Sequence, residues 1–536
     1  MGRVGQLVRL GVVFFCAAEV ALSQTESTPL RHLRDLKISD IFVPAELGYV
    51  IETHSPAPAS SLASSSHPII VHIQEAHSNY EAQKHLADIL DRLVRDFGLT
   101  LILVEGGQGD VGLEYLRGYG PPDNRKEVAE KYLKSGILSG EEYLDIVSDY
   151  PLTLWGVEQD DLYQQNVQAF LRAESLRTTL GPVLARVRAA AELLKPRLTD
   201  PALSELGDKA RAFEQGTLDA SDYAEFLDGL ARRERVSELA YPQLTRFLAV
   251  RALEGQIQQA HVQQQQTALM QRLSERLSKE QLDALIADAK GVRGKTVTQR
   301  AFYAHLNELV TSTKLSLDAY PQLALYLRYI EEGAQIKPAT LAEELDQLAA
   351  SLRAHLASTP ESKTLQELLG QLDLAEKLLD LRLSPDEHQR FQSVNVGEMV
   401  SHWKSFLTEQ LHQANLPSQS FDRLEALTTA WPTLQRFYEA AAKRDAVLVE
   451  RAMAKLAETH EPLAVLITGG FHSPKITQLL KDRGVGVVVV APKVSHETDE
   501  RLYRAVLKYK SGHGSFEDVQ AAVHDTQPET TQFVSQ

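Results

Sequence analysis

Cysteine is almost absent: Cys16 is the only one in 536 residues, and it sits inside an apolar N-terminal segment. A chain cut after Ser23 would hold no disulfide and no thiol nucleophile, which argues against a disulfide-stapled fold and cysteine-based hydrolysis. Positive charge is in deficit too, with 56 Lys and Arg against 72 Asp and Glu and a formal charge of -16. A surface that tracks phosphates needs clustered Lys and Arg, so nucleic acid is discounted as a partner. Long apolar runs are missing as well. The run from Leu10 to Ala18 is too short to span a bilayer, so no lasting transmembrane anchor is expected.

Several reactive motifs are incomplete. There is no G-x-S-x-G elbow, and His496-Glu497 lacks the second histidine of a zinc-protease helix. Gly294-Lys295-Thr296 has the end of a P-loop, but Ala289 replaces its first glycine and a helical pattern precedes it. Gly107 to Gly112 fits G-x-G-x-x-G after a strand, but no long helix follows to bind phosphate, so it reads as a flexible loop. Serine-hydrolase, zincin, ATPase and dinucleotide-binding chemistry are all poorly supported.

What is present is a globular composition, 43% hydrophobic, in a chain long enough for two or more domains. Basic residues up to Arg9, the apolar run and Ala21-Leu22-Ser23 have the shape of a signal peptide over 1–23, so the chain is expected to be exported to the periplasm, cell envelope or exterior. Phe14 and Phe15 stand where a lipoprotein signal wants small residues, which argues against a lipid on Cys16. Residues 24–66 form an N-terminal segment ending in a Ser/Pro/Ala linker.

Five apolar runs then read as buried strands: Ile69 to Ile73, Leu99 to Val104, Leu152 to Val157, Leu463 to Thr468 and Val485 to Val490. They divide into core segments at 67–165 and 430–510 around an all-helical insertion at 166–429, and a polar, disordered tail is expected over 511–536. Behind the first run, Leu86, Ile89, Leu90 and Leu93 recur at helical spacing, with Ser78 or Asn79 as N-cap and Gly98 at the C-terminus. Inside the insertion, Ala240-Tyr241-Pro242-Gln243-Leu244 and Ala319-Tyr320-Pro321-Gln322-Leu323 are alike, and Ala430-Trp431-Pro432 is a weaker third copy; all three read as helix starts with proline in the first turn.

The runs end in chemistry. Glu75 and His77 follow the first, Glu105 the second, Glu158 the third and His472 the fourth. In a parallel sheet those ends share one edge, so residues hundreds of positions apart converge on one crevice. Two imidazoles with carboxylates there suit either an open divalent-metal site or a histidine base oriented by acids. Singly, a strand-end acid is as often a loop cap, and His72, in mid-strand, reads as a satisfied core residue.

Gln74-Glu75-Ala76-His77, Val104-Glu105-Gly106, Gly156-Val157-Glu158, Arg444-Asp445 and Gly469-Gly470-Phe471-His472 together resemble the erythromycin-esterase, ChaN-like, TraB and Tiki superfamily. The resemblance spans the α/β core, roughly two-fifths of the chain, and its motifs are specific only jointly. It implies an α/β fold with a mostly parallel sheet of the erythromycin-esterase/ChaN-like type, carrying here a large helical insertion. It also implies a shared pocket with His77, Glu105, Glu158, Arg444 and His472 as site residues. Members are variously linked to metal-dependent peptide cleavage, ester hydrolysis with a histidine base, and haem binding. The expectation is an exported hydrolase acting on a small-molecule ester or a peptide. His77 is its base or metal ligand, and Glu105 and Glu158 orient it or complete a metal site. His472 is a second base or ligand, and Arg444 stabilises charge on the substrate carbonyl. His77, Glu105 and His472 are the candidate ligands of a divalent metal. A haem- or iron-binding envelope protein and a non-catalytic helical scaffold are the alternatives; substrate and oligomeric state are not specified by the sequence.

Overall fold

The computed structural model of the chain describes residues 36–56, 67–214, 216–236, 241–293, 299–470, 472–495 and 498–526. The expected signal segment with Cys16, most of the Ser/Pro/Ala linker, Gly294 to Thr296, Phe471, His496, Glu497 and the tail from residue 527 lie outside them. The described chain forms two compact units, one of residues 36–199 with 359–526 and one of 200–358.

In the first unit β1 (Gly48–His54), β2 (Ile69–Glu75), β3 (Leu101–Val104), β4 (Gln108–Asp110), β5 (Thr153–Val157), β6 (Leu463–Gly469) and β7 (Gly486–Pro492) form one sheet in the order β1-β7-β2-β6-β3-β5-β4. The five expected runs are its parallel centre, with Ile70 beside Ala464 and Val487, and Ile102 beside Val465 and Leu154. The two short edges, β1 and β4, run antiparallel to β7 and β5. Gly107 to Gly112, expected as a flexible loop, thus supplies a strand at Gln108–Asp110. Its approach depends on glycine: a Cβ on Gly156 would stand 2.1 Å from the carbonyl carbon of Gly107.

Strand alternation splits the core into two layers. Ile69, Val71, Ile73, Ile102, Val465, Ile467, Val488 and Val490 face α1 (Tyr80–Phe97), whose Leu86, Ile89, Leu90 and Leu93 stripe packs on them. Asn79 caps α1 by accepting from Ala82 N at 3.0 Å, and Gly98 closes it in the left-handed conformation. The connection to β5 carries α2 (Pro122–Lys134) and α3 (Gly140–Val147). From β5 the chain runs into α4 (Asp160–Leu198).

The second unit is helical throughout its described residues: α5 (Pro201–Glu214), α6 (Ala220–Arg233), α7 (Pro242–Glu254), α8 (Gln259–Ser274), α9 (Lys279–Arg293), α10 (Gln299–Ser312), α11 (Pro321–Gly333) and α12 (Pro338–Leu356). Pro242 and Pro321 open helices as expected. Pro432 does not; it lies inside a later helix.

Back in the first unit come α13 (Pro360–Leu379), α14 (Pro385–Gln392), α15 (Val396–Gln413) and α16 (Ala426–Thr459). The expected single insertion over 166–429 is therefore corrected: only 200–358 stands as its own unit. The rest joins the α/β unit because Leu180, Val187 and Leu194 of α4 share one core with Leu368 and Leu372 of α13, Trp403 of α15 and Leu434 and Tyr438 of α16. The C-terminal half of α16 then covers the other face of the sheet, where Leu448, Val449, Ala452 and Leu456 pack on Ile70, Leu101, Leu103 and Leu466. α17 (Ser473–Asp482) joins that layer, and α18 (Glu500–Lys510) follows β7. Of the tail expected to be disordered over 511–536, the described part, up to Thr526, is corrected, because α19 (Phe516–Thr526) packs Val519 against Leu502 and Val506 of α18. No helix among the described residues is long and apolar enough to cross a membrane.

The glycine at position 156 sets a stability contrast. Gly156→Ala should destabilise by about 1–3 kcal/mol because backbone must move, whereas Gly370→Ala, on α13 with nothing within 4 Å, should gain about 0.4–1 kcal/mol. Thermal unfolding of the two variants checks this, and equal midpoints would contradict it.

Candidate functional site

The strands β2, β6, β3 and β5 are neighbours in that order, so their carboxyl ends lie side by side at the sheet edge where parallel α/β folds place ligands. Glu75 ends β2, and the chain turns at Ser78 with φ +56° so that Asn79 can start α1. Gly469 ends β6 and leads to His472 at the N-terminus of α17. Glu105 and Glu158 directly follow β3 and β5.

One cation ties these ends together. Arg444 of α16 is 4% exposed and donates from Nη2 to Glu105 Oε1 at 2.7 Å and to Glu158 Oε1, while its Nε reaches Glu158 Oε2 at 3.3 Å. Glu105 Oε2 accepts the N–H of Gly469 at 2.8 Å, which fastens β3 to the β6 loop. The Tyr163 ring lies 5.6 Å from the guanidinium carbon. Burial works to raise the Glu105 pKa, but His472, Arg444, His77 and the Gly469 N–H together hold it well below the carboxylate range. Burial likewise opposes the charge on Arg444, and the two glutamates more than restore it.

Two histidine–carboxylate pairs flank this cluster. His472 is buried, with Nδ1 2.5 Å from Asp445 Oδ1 and Nε2 3.4 Å from both Arg444 Nη1 and Glu105 Oε1. Burial raises the Asp445 pKa against the pull of His472. His77 is more open, 40% exposed at the side chain, with Nδ1 3.1 Å from Glu75 Oε1. Its Nε2 points to the β6 end, 3.1 Å from where a Cβ on Gly469 would stand. Desolvation pushes the His77 pKa down, but the adjacent Glu75 carboxylate, with help from Glu105, carries it up to about 9. Glu75 is itself held by Gln83 Nε2 at 2.6 Å, and Gln83 Oε1 accepts Gly140 N at 2.6 Å. His72 is the satisfied core residue expected, bonded to Thr468 at 2.9 Å and Thr477 at 3.1 Å, with burial lowering its pKa to about 4.

Glu105, Glu158, Arg444 and His472 thus meet in one network, and His77 lies on the same edge. One expected role is corrected: neither Glu105 nor Glu158 orients His77, because both are committed to Arg444, and Glu75 does so instead. The donor set expected for a metal, His77, Glu105 and His472, does not fit one as arranged. Glu105 spends both oxygens on Arg444 and Gly469, and among the described residues no three His, Cys, Asp or Glu side chains form a metal-holding group. Asp445, Gln83, Tyr163 and Tyr503 had no assigned role from sequence. Asp445 was in reach, since it follows Arg444 directly; nothing in the sequence tied Tyr503 to His77.

A comparison with protein-family models finds no match, and comparisons with curated proteins and with solved structures find none either.

Removing the central cation should strand two carboxylates. Arg444→Met is expected to destabilise by about 3–5 kcal/mol near neutral pH. The Glu105 contribution is present above its unfolded pKa and lost only as pH falls through its depressed folded value. In the variant Glu105, freed of Arg444, takes up a proton more readily, so the penalty should shrink toward about pH 5. Unfolding curves at both pH values measure it, and an unchanged midpoint near neutrality would contradict the arrangement.

Proposed function

We propose that the chain is a hydrolase of ester or peptide bonds, of the erythromycin-esterase/ChaN/TraB/Tiki type and exported, in which His77 is the general base. The observation that carries this reading is the Glu75–His77 pair: Nδ1 is taken by a carboxylate at 3.1 Å and the ring remains accessible at the carboxyl edge of a parallel sheet.

With Nδ1–H donated to Glu75, the neutral ring presents Nε2 as an acceptor. A water there gives its proton to Nε2 as its oxygen attacks the carbonyl carbon. The tetrahedral intermediate then collapses, and Nε2–H returns the proton to the leaving alkoxide or amine, so the histidine ends as it began. Glu105 and Glu158 largely neutralise Arg444, which makes it first a brace for the loops. Its Nη1, which neither glutamate engages, lies 3.4 Å from His472 Nε2 and 3.2 Å from the Asn166 amide oxygen, and charge developing on the carbonyl oxygen competes with these two for that arm. His472, fixed by Asp445, forms the floor beside it.

The base form of His77 accumulates only above its raised pKa, so the rate should climb with pH and level off above about 9. The test is a panel of chromogenic esters and peptides assayed from about pH 7 to about pH 10 with and without chelator. His77→Gln should lose on the order of 10²–10⁴ in kcat/KM, and Glu75→Gln should move the rise to lower pH. Chelator should leave the rate unchanged. Full activity in His77→Gln would sink the reading.

A further inference from the structure

The ring of Tyr503 lies over His77, with centroids 6.0 Å apart and planes 12° from parallel. This contact joins the first reactive loop to a helix more than 400 positions later, and nothing local fixes it.

The placement of Tyr503 is held from several sides. Asp499 caps α18 by accepting from Arg501 N at 2.7 Å and Leu502 N at 3.0 Å. The next residue, Arg504, is buried and pairs with Glu174 of α4 while reaching the Asp380 carbonyl after α13 at 3.4 Å. Leu502 and Val506 pack on Val519. Upstream, the segment leaving β7 is pinned to α1, with the Lys493 carbonyl 2.8 Å from His85 Nδ1 and Ser495 N donating to Glu81 at 2.5 Å. α1 begins directly behind the His77 loop. Base and cover are thus registered to each other through one helix.

A histidine held by one hydrogen bond can still swing about that bond. The Glu75 contact fixes Nδ1 but not the plane of the ring, and the plane decides where Nε2 points. A parallel aromatic face removes that freedom, and an imidazolium over the face of a tyrosine gains cation–π attraction at this separation.

We propose that Tyr503 is a positioning residue for the Glu75–His77 pair: its ring, carried in by α18, sets the plane of the imidazole so that Nε2 faces the Gly469 end of β6. Its catalytic consequence rests on the hydrolase reading; its structural content does not. Because the ring face acts, the hydroxyl is dispensable. Burial, then Glu105, pushes the phenol up to about 12, so it stays neutral through the working range.

The experiment uses the full chain labelled at histidine 13Cε1, with the His77 signal assigned by its loss in His77→Gln. The wild type and Tyr503→Phe should give one sharp His77 resonance. Tyr503→Leu, with Tyr503→Met as a second variant should leucine fail to fold, should give a broadened or doubled one. On an ester found in the panel, the aliphatic variant should lose about tenfold in kcat with KM little changed, and Tyr503→Phe should stay within about twofold. A sharp single resonance with full kcat in the aliphatic variant overturns the proposal, as does Tyr503→Phe falling as far as the aliphatic variant, which would give the role to the hydroxyl. If the wild type hydrolyses nothing, the hydrolase reading fails and the resonance alone still decides the positioning role.

Discussion

Arg444 between Glu105 and Glu158 is the constraint on which the rest of the site depends. Arg444 and Glu158 are buried and Glu105 is nearly so, and taking a charge out of water costs several kcal/mol unless its partners are close and well aligned. The cost is met because the three groups come from elements already brought together by apolar packing. β3 and β5 are paired strands, and α16 lies across the sheet face through Leu448, Val449 and Ala452. The ion cluster then specifies the loops more than it stabilises the fold, since it fixes where Glu105 points and, through Gly469 N, where the β6 loop begins. His472 inherits its position from that loop and from Asp445, the residue after Arg444.

The arrangement separates a closed floor from an open mouth. Arg444, Glu158, Asp445 and His472 are almost without solvent contact, whereas His77 is not. A buried carboxylate–histidine pair and a half-buried one on neighbouring strands have different tasks available: the first fixes charge and geometry, and the second can meet a water or a substrate through its open imidazole. Glu141 adds to the asymmetry. Burial, then the neighbouring Glu75 and Glu142, pushes its carboxyl up to about 8, so near neutrality it holds its proton and leaves Glu75 as the ionised partner of His77.

The parallel centre of the sheet is legible because Ile69 to Ile73 and its counterparts are short runs dominated by apolar residues, and the strand-end acids and histidines are legible because four of the five runs are followed by one. The edges are not. β1 carries Glu52 and His54, and β4 is Gln-Gly-Asp, so neither has the composition of a buried strand. The extent of the helical insertion is not legible because α4 and α16 each run unbroken between the sheet region and the helical region, and periodicity marks no boundary within a continuous helix. The helix at Phe516–Thr526 is not legible because its polar composition hides one buried contact, Val519. Which acid serves which base also escaped sequence reasoning. Glu75 lies two positions from His77, but the choice between it and Glu105 was made by Arg444, far along the chain.

His77, paired with Glu75, is an accessible imidazole whose charge is set by carboxylates at the sheet edge. A direct measurement is the pH titration of the His77 13Cε1 resonance in the full chain. The arrangement predicts an imidazolium that persists until about pH 9. A midpoint at or below about 6.5, the value of an unperturbed histidine, would contradict it.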